Sequence, residues 1–236
     1  MLRVTPRNRT VYFMIVKLQN LILEMIARGE PLRPTLDRLC LEVESMVPGA
    51  VCSVLRVDAG HLHPLSGPSL PDHYSAALDS LLIGPEAGSC GTAAYKGKSV
   101  SIEDIEHDPG WAEFKDLVLP LGLKACWSTP IFSADRVVGT FAFYYREHRG
   151  PGELEQQIVD TCVHLCAIAI ERDERVRERQ RLTYTDALTG LPNRAKFNQV
   201  LSEQGLTSGA VWGILLVDLD NLKLVNDTFG HASGDE

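Results

Sequence analysis

Asp218 and Asp220 stand two residues apart, at the end of an uncharged run, Val211-Trp212-Gly213-Ile214-Leu215-Leu216-Val217. The run is rich in β-favouring residues and reads as a strand covered on both faces. Residues two apart on a strand share a face, so both carboxylates would point at one cleft. In α/β sheets that cleft, at the carboxyl end of the strand, is where ligands bind. Two neighbouring carboxylates repel unless a cation lies between them, and hard oxygen ligands suit magnesium. Residues 221–227 then read as a short helix with Leu222 and Val225 on its inner face. Lys223 and Asn226, three apart, are neighbours on it. Lys223 offers a positive charge to a phosphate, and Asn226 offers an amide to a base edge. Gly230-His231 reads as a turn, and Ser233-Gly234-Asp235 as the entry to another helix. The blander alternatives are an N-cap for Asp218 and turn or cap chemistry for Asn226.

Other chemistry-bearing residues lie upstream. Gly88-Ser89-Cys90-Gly91 could present amides to an anion at a helix N-terminus, or be a capped, close-packed turn. Cys90 could be a redox or attachment site, against the commoner role of a buried thiol. Cys162 and Cys166 flank His164 at helical spacing, which suggests a metal, but Leu165 and Ile168 suggest an apolar seam instead. His61 and His63 could reach a haem, though no axial-ligand pattern supports one. Trp111 and Trp127 read more readily as core than as ligand platforms. No hydrolase-type arrangement of Ser, His and Asp stands out.

These residues need a scaffold. The chain has 236 residues, enough for one or two domains, and an ordinary globular composition. Its net charge of -8 argues against a nucleic-acid surface. Its six cysteines include no CxxC pair, which fits a reducing cytoplasm. The apolar run 11–16 is too short to span a membrane, and no secretory cleavage site comes after it. Leu18, Leu21, Ile22, Met25 and Ile26 fall at helical spacing, and 32–46 reads as a second helix. Strands are expected at 50–57, 61–65 and 100–102, and a hairpin over 124–132 and 136–145. Helices are expected over 71–82, from 108 to about 119, and from 152 to about 182. In the last of these, Leu154, Ile158, Cys162, Leu165 and Ala169 form an apolar stripe, after which 171–179 becomes a charged helix of alternating sign. Helices bracketing a mostly antiparallel sheet make this an α+β protein.

Two stretches resemble known families. Gly88-Ser89-Cys90-Gly91-Thr92-Ala93-Ala94, Asp104-Ile105, Asp108-Pro109-Gly110-Trp111, Trp127-Ser128-Thr129-Pro130-Ile131 and Gly139-Thr140-Phe141-Ala142 look like a GAF domain over 11–172. That family binds small molecules on one side of its sheet and often dimerises. Ser89, Cys90 and Trp127 are the candidate pocket residues. The second resemblance rests on Asp186-Ala187-Leu188-Thr189-Gly190-Leu191-Pro192-Asn193-Arg194 and on 218–236. These are similar to the opening half of a GGDEF domain, the diguanylate cyclase fold, an incomplete α/β module. The resemblance implies condensation of two GTP molecules to cyclic di-GMP with magnesium as cofactor. It places the metal on Asp218 and the carbonyl of Leu219, and guanine against Asn226 and Asp235 with Leu188 as an apolar contact. It puts Lys223 on the phosphates and His231 beside the nucleotide. Leu222 stands where the family usually has an aromatic residue.

These resemblances divide the chain into a tail at 1–10, a GAF sensor at 11–172, a connecting helix at 173–184 and the front of a GGDEF domain at 185–236. The Gly-Gly-Asp/Glu-Glu-Phe hairpin is not among these residues, so no catalytic set is complete. Two-metal chemistry needs more ligands than one carboxylate can supply, and the chain alone is expected to be inactive. Residues after Arg181 are expected to be poorly packed. The expected function is the sensory part of a diguanylate cyclase, cytoplasmic and homodimeric, in which a small ligand or a redox signal acts through the connecting helix. The alternatives are a binding and dimerisation module with a remnant GGDEF segment, or the front of a cyclic di-GMP phosphodiesterase. No nucleic-acid partner is expected.

Overall fold

A computed structural model describes residues 6–204, 213–218, 220–230 and 232. They fall into two compact units, Met1–Glu174 and Arg175–Glu236.

The first unit opens with α1 (Pro6–Arg28) and α2 (Leu32–Met46). Gly29, at φ +84, reverses the chain between them, and Pro31 starts α2 from an extended backbone. Strands β1 (Ala50–Asp58) and β2 (His61–Ser66) form a hairpin across Ala59-Gly60, both at positive φ. Next come α3 (Asp72–Ala77), β3 (Leu81–Leu82), α4 (Gly88–Lys96) and β4 (Val100–Ile102). After a short α5 (Lys115–Val118), β5 (Ala125–Ser133) and β6 (Arg136–Tyr145) make the central hairpin, and α6 (Glu153–Tyr184) closes the unit. The sheet is antiparallel throughout, in the order β3-β2-β1-β6-β5-β4.

Strand alternation divides the core in two. Cys52, Val54, Trp127, Ile131, Phe141, Phe143 and Tyr145 face α1, α2 and α6. From those helices come Ile22, Leu36, Leu39, Val43, Ile158, Cys162, Leu165 and Ala169, which include most of the stripe read from the sequence. Val51, Leu55, Cys126, Ala142 and Tyr144 face the other way, toward α3, α4 and the segment around Trp111. Gly139 lets β1 and β6 approach closely, because a Cβ there would run into the Leu55 carbonyl oxygen.

Three expected elements come out differently. The helix expected over 71–82 stops at Ala77, because the edge of β2 captures the residues just beyond it. Ser80 N–H donates to Leu62 O at 2.8 Å and Ile83 N–H to Gly60 O at 2.9 Å, and Leu81–Leu82 pairs as β3. The helix expected from 108 to 119 is broken into a 3-10 turn at Pro109–Trp111, α5, and a second such turn at Leu119–Leu121. Pro120 lacks the N–H an uninterrupted helix would use, and Gly122 at φ +74 reverses the chain. The strand expected at 211–217 is not formed over 213–218. Residues 213–217 take part in no strand pairing among the described residues, and Leu215 and Leu216 are 88% and 91% exposed. A strand needs a partner for its N–H and C=O groups, and none lies alongside among the described residues.

The second unit carries α7 (Arg194–Gln204), α8 (Leu222–Phe229) and a bridge between Thr185 and Pro192. Its exposed apolar side chains match the expected poor packing after Arg181.

Candidate functional site

The pocket face of the sheet carries the first unit's polar chemistry. Gly88 at φ +60 starts α4 with residues 88–94 buried against β5 and β6. A Cβ on Gly91 would lie 2.6 Å from that of Ala87, so only glycine lets this turn of α4 close. The helix brings Ser89 and Cys90 over the sheet. Ser89 Oγ accepts from Trp111 Nε1 at 3.1 Å and donates to Cys126 O at 3.5 Å. Tyr74 OH donates to Tyr144 OH at 3.2 Å, Ser53 Oγ lies 3.5 Å from the same oxygen, and Cys90 Sγ lies 3.9 Å from it. A cavity of about 10 Å³, room for about one water molecule, is lined by Leu55, Leu62, Tyr74, Cys90, Trp111 and Tyr144 among others. Around Cys90 the face is thus nearly filled by its own side chains.

Two buried thiols meet here. Polar groups around the Cys90 thiol, Cys126 first among them, outweigh burial and lower its pKa from the ordinary value to about 7. Burial, with the Cys90 thiol beside it, pushes Cys126 well up. Ser128 Oγ and Thr140 Oγ1 are buried without a hydrogen-bond partner among the described residues.

Of the three pocket candidates, the structure brings Ser89 and Cys90 together and separates Trp127 from them. Trp127 stands one residue along β5 from Cys126, and alternation turns it to the helical face, where it stacks on Phe143 at 5.6 Å. Sequence reasoning missed Tyr74, Cys126 and Tyr144 as pocket residues. The available signal was parity: Cys126 and Tyr144 are opposite each other in the β5–β6 register. The other upstream candidates disperse. His164 is exposed while Cys162 and Cys166 are buried. His61 Nδ1 is held by Ala59 O at 3.0 Å and His63 Nδ1 by Asp79 Oδ1 at 2.8 Å.

In the second unit, the 186–194 motif is a built turn. Asp186 Oδ1 accepts from the N–H of Leu188 and Thr189 and from Thr189 Oγ1, at 3.2, 3.0 and 2.9 Å. Those donors hold its carboxyl below the usual carboxylate range. Gly190, at φ +67, closes the turn through Gly190 N–H to Asp186 O at 2.9 Å. Asn193 Oδ1 caps α7 by accepting from Ala195 N–H and Lys196 N–H, and its Nδ2 donates to Thr183 O at 2.9 Å. Asp186, Thr189 and Asn193 thus each have a structural role.

Leu188 on this turn is 61% exposed. Asp218 ends the irregular stretch, Asn221 at φ +65 precedes α8, and Lys223 and Asn226 lie on α8. Lys223 is exposed, while Asn226 Oδ1 is buried without a hydrogen-bond partner among the described residues. Leu219, His231 and Asp235 lie outside the described residues. No three His, Cys, Asp or Glu side chains come together among the described residues in a way that would hold a metal ion. Asp218 by itself does not make a magnesium site.

The GAF domain family matches residues 30–171, more than half of the chain, and the diguanylate cyclase GGDEF domain family matches 183–236. The chain therefore belongs to the GAF domain family, with a partial GGDEF domain after the GAF domain. A methyl sulfide methyltransferase-associated sensor of Methanosarcina acetivorans is 40% identical over 65% of this chain and 16% of its own length. The diguanylate cyclase DgcP of Escherichia coli is 37% identical over 49% of this chain and 37% of its own. The cyclic di-GMP phosphodiesterase NbdA of Pseudomonas aeruginosa is 43% identical over 69% and 20%. The chain thus spans well under half the length of these relatives. Among solved structures, the GAF domain of a phosphoenolpyruvate-protein phosphotransferase from Coxiella burnetii aligns with a TM-score of 0.57. At 16% identity, over 70% of this chain and 98% of that one, it speaks for the fold. No helix among the described residues is long and apolar enough to cross a membrane.

Proposed function

We propose that this chain is the sensory and leading part of a cytoplasmic diguanylate cyclase. In this reading a signal on the pocket face controls GTP condensation through α6 in a homodimer. The observation that carries it is the order along the chain, in which a GAF domain at 30–171 is succeeded at once by a GGDEF match at 183–236. The 32-residue α6 runs across that junction. At the last turns of α6 inside the first unit, Ser133 Oγ donates to Glu171 at 2.7 Å and Arg172 to Glu30 O at 2.9 Å. These contacts tie the β5–β6 tip and the α1–α2 turn to the helix that leads onward.

GTP would meet Asn226, His231, Asp235, Lys223 and Leu188. Asp218 and the Leu219 carbonyl would contribute to magnesium binding, with a further carboxylate supplied outside this sequence. Magnesium, when bound, would neutralise phosphate charge. The unpartnered Asn226 Oδ1 is an acceptor suited to the amino edge of guanine. The 236-residue chain alone should make no cyclic di-GMP from magnesium-GTP, and any measured turnover overturns that.

The phosphodiesterase relative favours a second reading, in which the GGDEF segment precedes a hydrolytic domain. Chromatography of a version carrying the full downstream sequence separates the two: product formed from GTP supports the cyclase, and cyclic di-GMP consumed supports the second reading. In the cyclase reading, Asp218→Ala in that version abolishes magnesium-GTP binding.

A further inference from the structure

We propose that a second cavity, at the start of β1 and the end of β6, binds a short aliphatic carboxylate with Arg146 as its anion receptor. The cavity measures about 120 Å³. Val51, Leu70, Leu121 and Leu123 are among its apolar walls, and Ser69 and Arg146 are its polar members. It shares no lining residue with the smaller cavity beside Cys90.

Size limits the ligand. An apolar cavity of about 150 Å³ takes benzene, so this one takes a chain of about four carbons. Charge selects its head group. Arg146 is the one charged residue in the lining. Its Nη1 donates to Leu121 O at 2.7 Å, and no carboxylate pairs with it among the described residues. A backbone carbonyl orients the guanidinium without neutralising it. Gly122, at φ +74, clears the space, because a Cβ there would lie 3.0 Å from Arg146 Nη1. The rest of the fork stays free to donate, and such a fork matches the two oxygens of a carboxylate. Ser69 offers the cavity no donor, since its Oγ proton goes to Glu44 Oε2 at 2.6 Å. The other Glu44 oxygen accepts from Cys52 N–H at 2.8 Å, so this carboxylate is already held by donors of its own. One oriented cation beside apolar walls is the complement of a carboxylate on a short hydrocarbon chain. Arg146 is exposed, so water screens the pair and the dissociation constant should be on the order of 1 mM.

The same arginine is the first residue after β6, on the segment that leads into α6. In that segment Arg149 lies 3.8 Å from the centroid of the Tyr145 ring and pairs with Glu155 of α6 at 2.7 Å. A carboxylate held by Arg146 in the cavity therefore joins the Leu119–Leu121 turn to the chain entering the long helix. That consequence rests on the sensor reading proposed above; the binding itself does not.

The test is a methyl NMR titration of the full chain, labelled at Leu and Val, with sodium butyrate against sodium chloride at equal ionic strength. Butyrate at about 10 mM should fill most of the sites. It should shift the methyls of Val51, Leu70, Leu121 and Leu123 and leave those of Leu36 and Leu39, in the core of the helical face, in place. Butyramide, of the same shape without the charge, should bind at least about tenfold more weakly, and butylammonium should not bind. Arg146→Gln should weaken butyrate by about tenfold, and Arg146→Lys, which keeps the charge but not the fork, by less. Unmoved Leu36 and Leu39 signals verify that these variants fold. Leu121→Trp plugs the cavity and should abolish the shifts at the other three residues. Cavity methyls that ignore butyrate, that answer equally to butyramide, or that answer unchanged in Arg146→Gln overturn the proposal. None of those outcomes touches the order of GAF and GGDEF domains, so the cyclase reading stands or falls separately, by GTP turnover in the version carrying the downstream sequence.

Discussion

Both faces of the sheet bury cysteines, but only the pocket face holds one whose thiol is made easier to ionise. On the helical face, burial pushes Cys40 up to about 12, in spite of a hydrogen bond from Ser66 Oγ, and Cys52, Cys162 and Cys166 likewise upward. On the pocket face, burial pushes Cys126 up too, whereas the polar groups around Cys90 pull it down to about 7. Depth therefore does not decide the state of a thiol; the donors around it do. The helical face is a packing surface, and the pocket face gives up packing quality for polar atoms. That contrast separates a scaffold from a sensor within one sheet.

The sharpest break should come on the helical face. Phe141 is fully buried, edge-on to Phe143 at 5.2 Å. Phe141→Ala should cost about 3–5 kcal/mol, read from urea unfolding of the first unit by tryptophan fluorescence. A loss below about one kcal/mol, on the order expected for a surface site, would mean that this face is not the scaffold. Gly139→Ala acts on both faces, because it drives a methyl into the Leu55 carbonyl and parts β1 from β6. It should cost about 1–3 kcal/mol in the same measurement.

The pocket face should answer to chemistry rather than to volume. Tyr144→Phe removes the oxygen that accepts from Tyr74 and leaves that buried hydroxyl without a partner. The expected loss is about 1–2 kcal/mol. Ser128→Ala removes a hydroxyl that had no partner, so stability should change by no more than about 0.5 kcal/mol, or rise. If the two substitutions cost the same, the polar atoms of this face are ordinary core and the contrast between faces fails.

Much of this architecture was legible in the sequence, for physical reasons. The α2 boundaries at Leu32 and Met46 arise from Pro31 at one end and Pro48-Gly49 beyond the other. The β5–β6 hairpin arises from two apolar runs around Ser133-Ala134-Asp135, where Ala134 takes φ +50. The α6 stripe was readable because helical spacing puts Ile158, Cys162, Leu165 and Ala169 on one side. Trp127 was misplaced because alternation sorts residues into two sets but does not say which set meets which helices; that depends on how α4 packs. The 71–82 helix failed because a tertiary partner, the edge of β2, overrode local propensity. In the GGDEF segment the motif was recognised before its mechanics. Asp186 and Asn193 prove to be turn and cap residues, while residues 213–217 form no strand, with no sheet pairing among the described residues.

The smallest expected effect is also the most discriminating, because Cys90 and the other buried cysteines should leave opposite marks on stability as pH rises. Cys90 ionises more readily in the folded protein than its ordinary value of 9.0 allows. Between about pH 7 and 9 the unfolded chain therefore holds more protons at this position, and stability should climb with pH. That contribution is fully present above the ordinary thiol pKa and is lost as pH falls through about 7. The helical-face cysteines and Cys126 are raised, so above pH 9 the folded state keeps protons that the unfolded chain gives up. Their contribution should decline as pH rises further. Urea midpoints should thus pass through a maximum near pH 9. Cys90→Ala should flatten the rising limb and spare the falling one, whereas Cys162→Ala should soften the fall and leave the rise intact. A wild-type curve flat from pH 7 to 9, or a rise that survives loss of Cys90, would remove the electrostatic difference between Cys90 and the other five thiols.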